Sequence, residues 1–116
     1  MNKILLVEDN IHLLQLYELL FISYDVTSAR DAEKAFQSLE FNTFNLVILD
    51  LHLPTISGLE ILQHIRQFPR HEQVAVFVVS ADDKLKHRVQ EIGIQLWMTK
   101  PIEIKDLILA VRQCIG

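Results

Sequence analysis

Leu46-Val47-Ile48-Leu49-Asp50 is a run of four large apolar side chains closed by a carboxylate. The apolar part reads as a strand buried on both faces, because a half-exposed strand would alternate apolar with polar residues. An acid at the end of such a strand adds nothing to burial, so it asks for a functional reason. The arrangement recurs along the chain. Glu8 and Asp9 follow Ile4-Leu5-Leu6-Val7, Ser80 closes another apolar run, and Lys100-Pro101 follow a further one. Five polar groups thus occupy one kind of position.

Working outward, short runs rich in Val, Ile and Leu predict strands near 3–7, 25–28, 45–50, 74–80 and 96–99. Five amphipathic stretches lie between and after them. The first helix is expected behind Asn10 and the second behind Asp31. The third begins at Ser57-Gly58-Leu59-Glu60, which has capping-box spacing, and the fourth at Asp82-Asp83. The fifth carries Ile104, Leu107, Ile108, Val111 and Ile115 at helical spacing, with Glu103 and Asp106 against the positive end of its dipole. Strict strand–helix alternation predicts an α/β fold, a parallel sheet covered on both faces and joined by right-handed crossovers.

The 116 residues, about half of them apolar and 22% charged, suit one domain over 1–116. A net charge of −4 and no basic block argue against direct nucleic-acid binding, which draws mainly on phosphate neutralisation. The single cysteine, Cys114, excludes an internal disulfide framework and reads as a small apolar residue on the last helix. The first apolar run is too short for a signal sequence or a membrane span, and the expected location is cytoplasmic.

In an open parallel sheet, ligands bind beyond the carboxyl ends of the strands, where the strand order reverses. If strands one and three are neighbours, Glu8, Asp9 and Asp50 meet there, and their mutual repulsion asks for a cation. An oxygen-only donor set points to Mg²⁺ or Mn²⁺ rather than Zn²⁺. Lys100 would supply a charge opposite, and Ser80 a hydroxyl for a phosphoryl oxygen. The chemistry that these groups make together is phosphorylation of Asp50.

Val7-Glu8-Asp9-Asn10, Leu49-Asp50-Leu51-His52-Leu53-Pro54 with Gly58-Leu59-Glu60, Val79-Ser80-Ala81 and Thr99-Lys100-Pro101 together resemble the receiver domain of bacterial response regulators. The resemblance covers essentially the whole chain. It implies a flavodoxin-like three-layer α/β/α fold with strand order 2-1-3-4-5. It also implies a two-component phosphorelay: Asp50 accepts a phosphoryl group from a histidine kinase or a histidine phosphotransfer protein, and family members catalyse their own phosphorylation and dephosphorylation without being enzymes on other substrates. Glu8, Asp9, Asp50 and the backbone carbonyl of His52 would hold the metal. Ser80 and Lys100 would contact the phosphoryl group, Ser80 and Trp97 would switch, and Lys100-Pro101 would be a cis peptide. The fourth helix, fifth strand and fifth helix would meet an output domain or downstream protein.

Each residue also has a plainer reading. Asp50 would merely end a strand, Glu8-Asp9 would cap a helix, and Trp97 would pack as aromatics in strands usually do. Jointly these readings require several coincidences at one rim. Two departures from the family pattern stand out. His52 and Asp82 border the path of the water that hydrolyses the phosphoaspartate in the family, which makes them lifetime-tuning positions, and Ile94 stands where the family has a small residue. His12, His64, His71 and His87 read as surface residues. In the first helix, Ile11, Leu13, Leu14, Leu16, Tyr17, Leu19, Leu20, Phe21 and Ile22 are apolar almost all round, which points to self-association or a partner patch over a merely wide core face. Two other function classes compete: a pseudo-receiver that binds partners without phosphorylation, and a metal-dependent phosphohydrolase. The second commonly carries another Asp where this chain has His52.

Overall fold

The computed structural model describes residues 2–116. Its elements run β1 (Lys3–Val7), α1 (Ile11–Leu20), β2 (Asp25–Ala29), α2 (Ala32–Phe41), β3 (Leu46–Asp50), α3 (Gly58–Gln67), a 3₁₀ turn (Pro69–His71), β4 (Ala75–Ser80), α4 (Lys86–Ile92), β5 (Leu96–Thr99) and α5 (Ile104–Ile115). All five strands are parallel and lie in the order β2-β1-β3-β4-β5. β1 and β3 are therefore neighbours, with Leu6 opposite Ile48 and Val7 opposite Leu49.

The apolar strands explain the three layers. Alternate side chains point to opposite sides of a sheet, so a strand apolar throughout needs cover on both. Ile4, Leu6, Ile48, Phe77 and Val79 pack under Leu14, Tyr17 and Phe21 of the α1 region and Leu107 and Val111 of α5. Leu5, Val7, Val47, Leu49, Val76 and Val78 pack under α2, α3 and α4, through Ala35, Leu39, Ile61, Leu62, Ile65 and Val89.

Side chains open the first three helices. Asn10 Oδ1 accepts from the amides of His12 and Leu13, Asp31 Oδ1 from Lys34, and Ser57 Oγ from Leu59. The Ser57 bond reaches Leu59 rather than Glu60, so only part of the expected capping box is made. The start of α4 differs from the sequence expectation at Asp82-Asp83. Asp82 turns back on itself, its Oδ1 accepting from the Lys84 amide, and the helix begins only at Lys86. A local turn that satisfies its own backbone competes with helix initiation.

The apolar girth of α1 is mostly absorbed. Leu14, Tyr17 and Phe21 are buried, and Leu13 and Leu16 line a cleft against Ile102, Ile104 and Leu107. Leu19 and Ile22 alone of the nine are largely exposed, at 69% and 78%. His71 corrects a second expectation: it is buried, not on the surface, with Nε2 2.6 Å from the carbonyl oxygen of Leu39. His64 is half-buried between Phe36 and Phe68. No helix of the described residues is long and apolar enough to cross a membrane.

Candidate functional site

The carboxyl ends of β1, β3, β4 and β5 meet in one rim, and strand alternation sorts their side chains. Leu6, Ile48 and Met98 belong to the core beneath α1 and α5, so the residues two further on, Glu8, Asp50 and Lys100, fall on that side. Val78 belongs to the opposite core, which sends Ser80 the other way.

Lys100 joins the acids. Its Nζ lies 3.0 Å from Asp50 Oδ2 and 3.1 Å from Glu8 Oε1. Glu8 and Asp50 are 1% and 2% exposed, and the ammonium lies at the edge of solvent above them. The remaining carboxylate oxygens are held by backbone. The amide of Asn10 donates to Glu8 Oε2 over 3.1 Å, and that of His52 to Asp50 Oδ1 over 2.9 Å. The Lys100–Pro101 peptide is cis.

Crowding sets the electrostatics. Burial, and then the neighbouring Asp50 carboxylate, raise the Glu8 carboxyl from its ordinary 4.5 to about 7. For Lys100, burial alone would lower the ammonium, but hydrogen bonds and attraction to Asp50 and Glu8 outweigh it and the net direction is upward. Beneath them Tyr17 is buried, with its hydroxyl finding no hydrogen-bond partner among the described residues, and burial followed by the charges of Glu8 and Asp50 pushes that phenol up. Tyr17 was not legible as a neighbour of the site, since along α1 it reads as one more apolar residue.

Glu8, Asp9 and Asp50 each present a carboxylate oxygen within 4.8 Å of the others. Three hard oxygen donors at that spacing, with no thiolate or imidazole among them, fit a divalent cation of the magnesium class. Gly58 permits this packing. A methyl group added there would lie 2.4 Å from the carbonyl oxygen of Asp50 and 2.8 Å from Leu51 Cα, so α3 starts hard against the end of β3 only because the position is glycine.

On the other side, Ser80 is 1% exposed and its Oγ lies 2.7 Å from the carbonyl oxygen of Asp82. His52 Nε2 stands 3.1 Å from Ser80 Oγ and 3.4 Å from Asp82 Oδ2. Sequence reading placed His52 and Asp82 beside a water path but gave no sign that they touch. Trp97 sits apart from the acids. Like Leu85, Ile92 and Ile94, it packs against the core under α3 and α4; its Nε1 donates to Thr99 Oγ1 over 3.3 Å, and the Lys86 ammonium lies 5.9 Å from the ring centre. Ile94 is half-buried against that same core.

Residues 4–112 match the family model described as the response regulator receiver domain. The chain is 33% identical over 116 residues to the response regulator ArlR of Staphylococcus saprophyticus, covering 97% of this chain and 51% of that one. It is also 33% identical to the uncharacterized transcriptional regulatory protein YkoG of Bacillus subtilis, over 98% and 51%. The chain therefore spans about half the length of the curated relatives it matches. Among solved structures, the receiver domain of the sensor histidine kinase PA1611 from Pseudomonas aeruginosa, with a magnesium ion coordinated in its active site cleft, superposes with a TM-score of 0.88 at 25% identity. That match covers 99% of this chain and 98% of that one. With rim, strand order and sequence in agreement, this chain belongs to the family of response regulator receiver domains.

Proposed function

We propose that residues 1–116 form a phosphoacceptor switch in which Asp50 takes a phosphoryl group from a phosphohistidine on a histidine kinase or a histidine phosphotransfer protein. In the transfer an Asp50 carboxylate oxygen bonds to phosphorus as the phosphorus–nitrogen bond to the donor imidazole breaks, and the electron pair returns to that ring. The observation that carries this reading is Lys100 Nζ, within hydrogen-bond reach of both Asp50 and Glu8. An ammonium there lowers the cost of bringing an anionic phosphoryl group against buried acids and stays to pair with it afterwards.

Glu8, Asp9, Asp50 and the His52 carbonyl would hold Mg²⁺, for which the magnesium-bearing neighbour gives support that manganese lacks. Bound there, the ion supplies positive charge for the acid cluster and for the phosphoryl oxygens. Lys100 orients Asp50 through one oxygen, and the His52 amide fixes the other. Ser80 then donates to the phosphoryl group, and this differential contact shifts the population toward an active arrangement. The shift is read out at α4, β5 and α5, where Trp97, Ile104 and Leu109 stand. Leu19 and Ile22 support a separate contact through α1. His52 and Asp82 set how long the phosphoaspartate lasts.

Intact mass after incubation with acetyl phosphate, with and without Mg²⁺, tests the acceptor. The expected result is a single-phosphoryl gain that requires both Mg²⁺ and Asp50 and vanishes in Asp50→Asn. No gain in the wild type would instead support a pseudo-receiver that binds partners without phosphorylation.

A further inference from the structure

Ser80 has one proton and two lone pairs, and the surrounding atoms occupy all three. The Asp82 carbonyl, 2.7 Å away, can only accept, so the Ser80 proton points to it. The hydroxyl must then accept from its other two neighbours. One is the Asp82 amide at 3.3 Å, and the other is His52 Nε2 at 3.1 Å. By this elimination Nε2 carries a proton, and that same N–H also faces the Asp82 carboxylate, with Oδ2 at 3.4 Å. In this arrangement Ser80 has no free donor for a phosphoryl group on Asp50.

We propose that His52 is a positioning residue that latches Ser80 in the unphosphorylated arrangement. Its Nε2–H holds the hydroxyl oxygen while the Asp82 carbonyl holds the hydroxyl proton. Turning Ser80 toward a phosphoryl group breaks both contacts, so His52 acts as a brake on switching. The inference rests on the reading of Asp50 as the acceptor. The connection is short: the His52 amide donates to Asp50 Oδ1, so a change at that oxygen acts on the backbone that carries the latch. The side chains of His52 and Asp82 are 52% and 41% exposed, and neither is needed to fill the core.

The test is beryllofluoride affinity in the presence of Mg²⁺, followed by amide NMR shifts, for wild type, His52→Ala, His52→Gln and Asp82→Asn. His52→Ala is expected to bind roughly three- to tenfold tighter, the range set by one ordinary hydrogen bond no longer having to break. His52→Gln keeps a side-chain N–H and should return toward wild type. Asp82→Asn keeps the backbone groups that hold Ser80 and should tighten binding by no more than about threefold. Thermal unfolding without beryllofluoride should be nearly unchanged in all three, which separates positioning from loss of structure. Wild-type or weaker binding by His52→Ala would overturn the latch, as would His52→Gln behaving like His52→Ala. Failure of the wild type itself to bind would overturn the acceptor reading and the latch with it. Wild-type binding with no effect of His52 removes the latch alone.

Discussion

On the side of the sheet covered by α1 and α5, the rim is made of charges: Glu8, Asp50 and Lys100 in mutual contact. On the side covered by α2, α3 and α4, it is made of a hydroxyl, with Ser80 held by His52 and Asp82 and Trp97 packed further along β5. One strand period separates the two chemistries. If Asp50 is the acceptor proposed above, the first side takes and neutralises the phosphoryl group and the second reports it, because a hydrogen-bonded hydroxyl is released at far lower cost than a buried charge. Asp50 lies between them, bonded through one oxygen to Lys100 and through the other to the His52 amide.

The largest effect should fall on the charged side. Lys100→Met leaves two buried carboxylates without their ammonium, and about 4 kcal/mol of stability should be lost in chelator, part of it restored by Mg²⁺. Urea unfolding with and without Mg²⁺ measures this. A loss that ignored Mg²⁺ would deny that the cation and the ammonium share one cluster. Gly58→Ala should damage both sides together, because the new methyl meets the backbone of Asp50 and Leu51. About 3 kcal/mol is expected from overpacking there, and a loss below about 1 kcal/mol would show that α3 can retreat freely.

Glu8 gives the charged side a pH dependence. A carboxyl raised from 4.5 to about 7 contributes stability that is complete below 4.5 and lost as pH rises through about 7. In chelator the wild type should weaken across that window relative to Glu8→Gln by about 3 kcal/mol. Parallel unfolding midpoints for the two chains at every pH would refute the shift. The smallest effect lies under the cluster: Tyr17→Phe removes a buried hydroxyl with no partner among the described residues and should stabilise by about 1 kcal/mol. A loss of stability would show that the hydroxyl is hydrogen-bonded in solution.

The inner strands β1, β3 and β4 and their burial were legible because each is a short apolar run, whereas the edge strand β2, Asp25–Ala29, is mostly polar and only partly buried; Leu46–Asp50 alone specifies a core strand with a polar end that asks for a function. The proximity of Glu8, Asp9 and Asp50 was legible only on the condition that β1 and β3 pair, and the strand order came from family resemblance, since crossovers longer than a hairpin leave no mark on local sequence. Besides the place of Tyr17 under the site, three features escaped. The loop before α4 is set by Asp82 bonding within its own turn, which looks like a helix start when read one-dimensionally. His71 is buried because a carbonyl of α2 waits for it, a partner far away in sequence. The contact of His52 with Asp82 depends on how two loops close over Ser80, and neither loop carries a periodic signal.

The order of the strands also bears on how the domain assembles. β1 is an inner strand, yet its second edge stays open until β3 pairs with it, and α1, β2 and α2 all lie between the two in the chain. Such non-local parallel pairing is slow to nucleate. Glu8 and Asp9 meet Asp50 through this same pairing, so any partly folded form in which β3 has not yet docked has no divalent-cation site. If Mg²⁺ binds as proposed, it would act on the completed sheet, leave earlier species untouched, and so serve as a kinetic marker for the docking of β3.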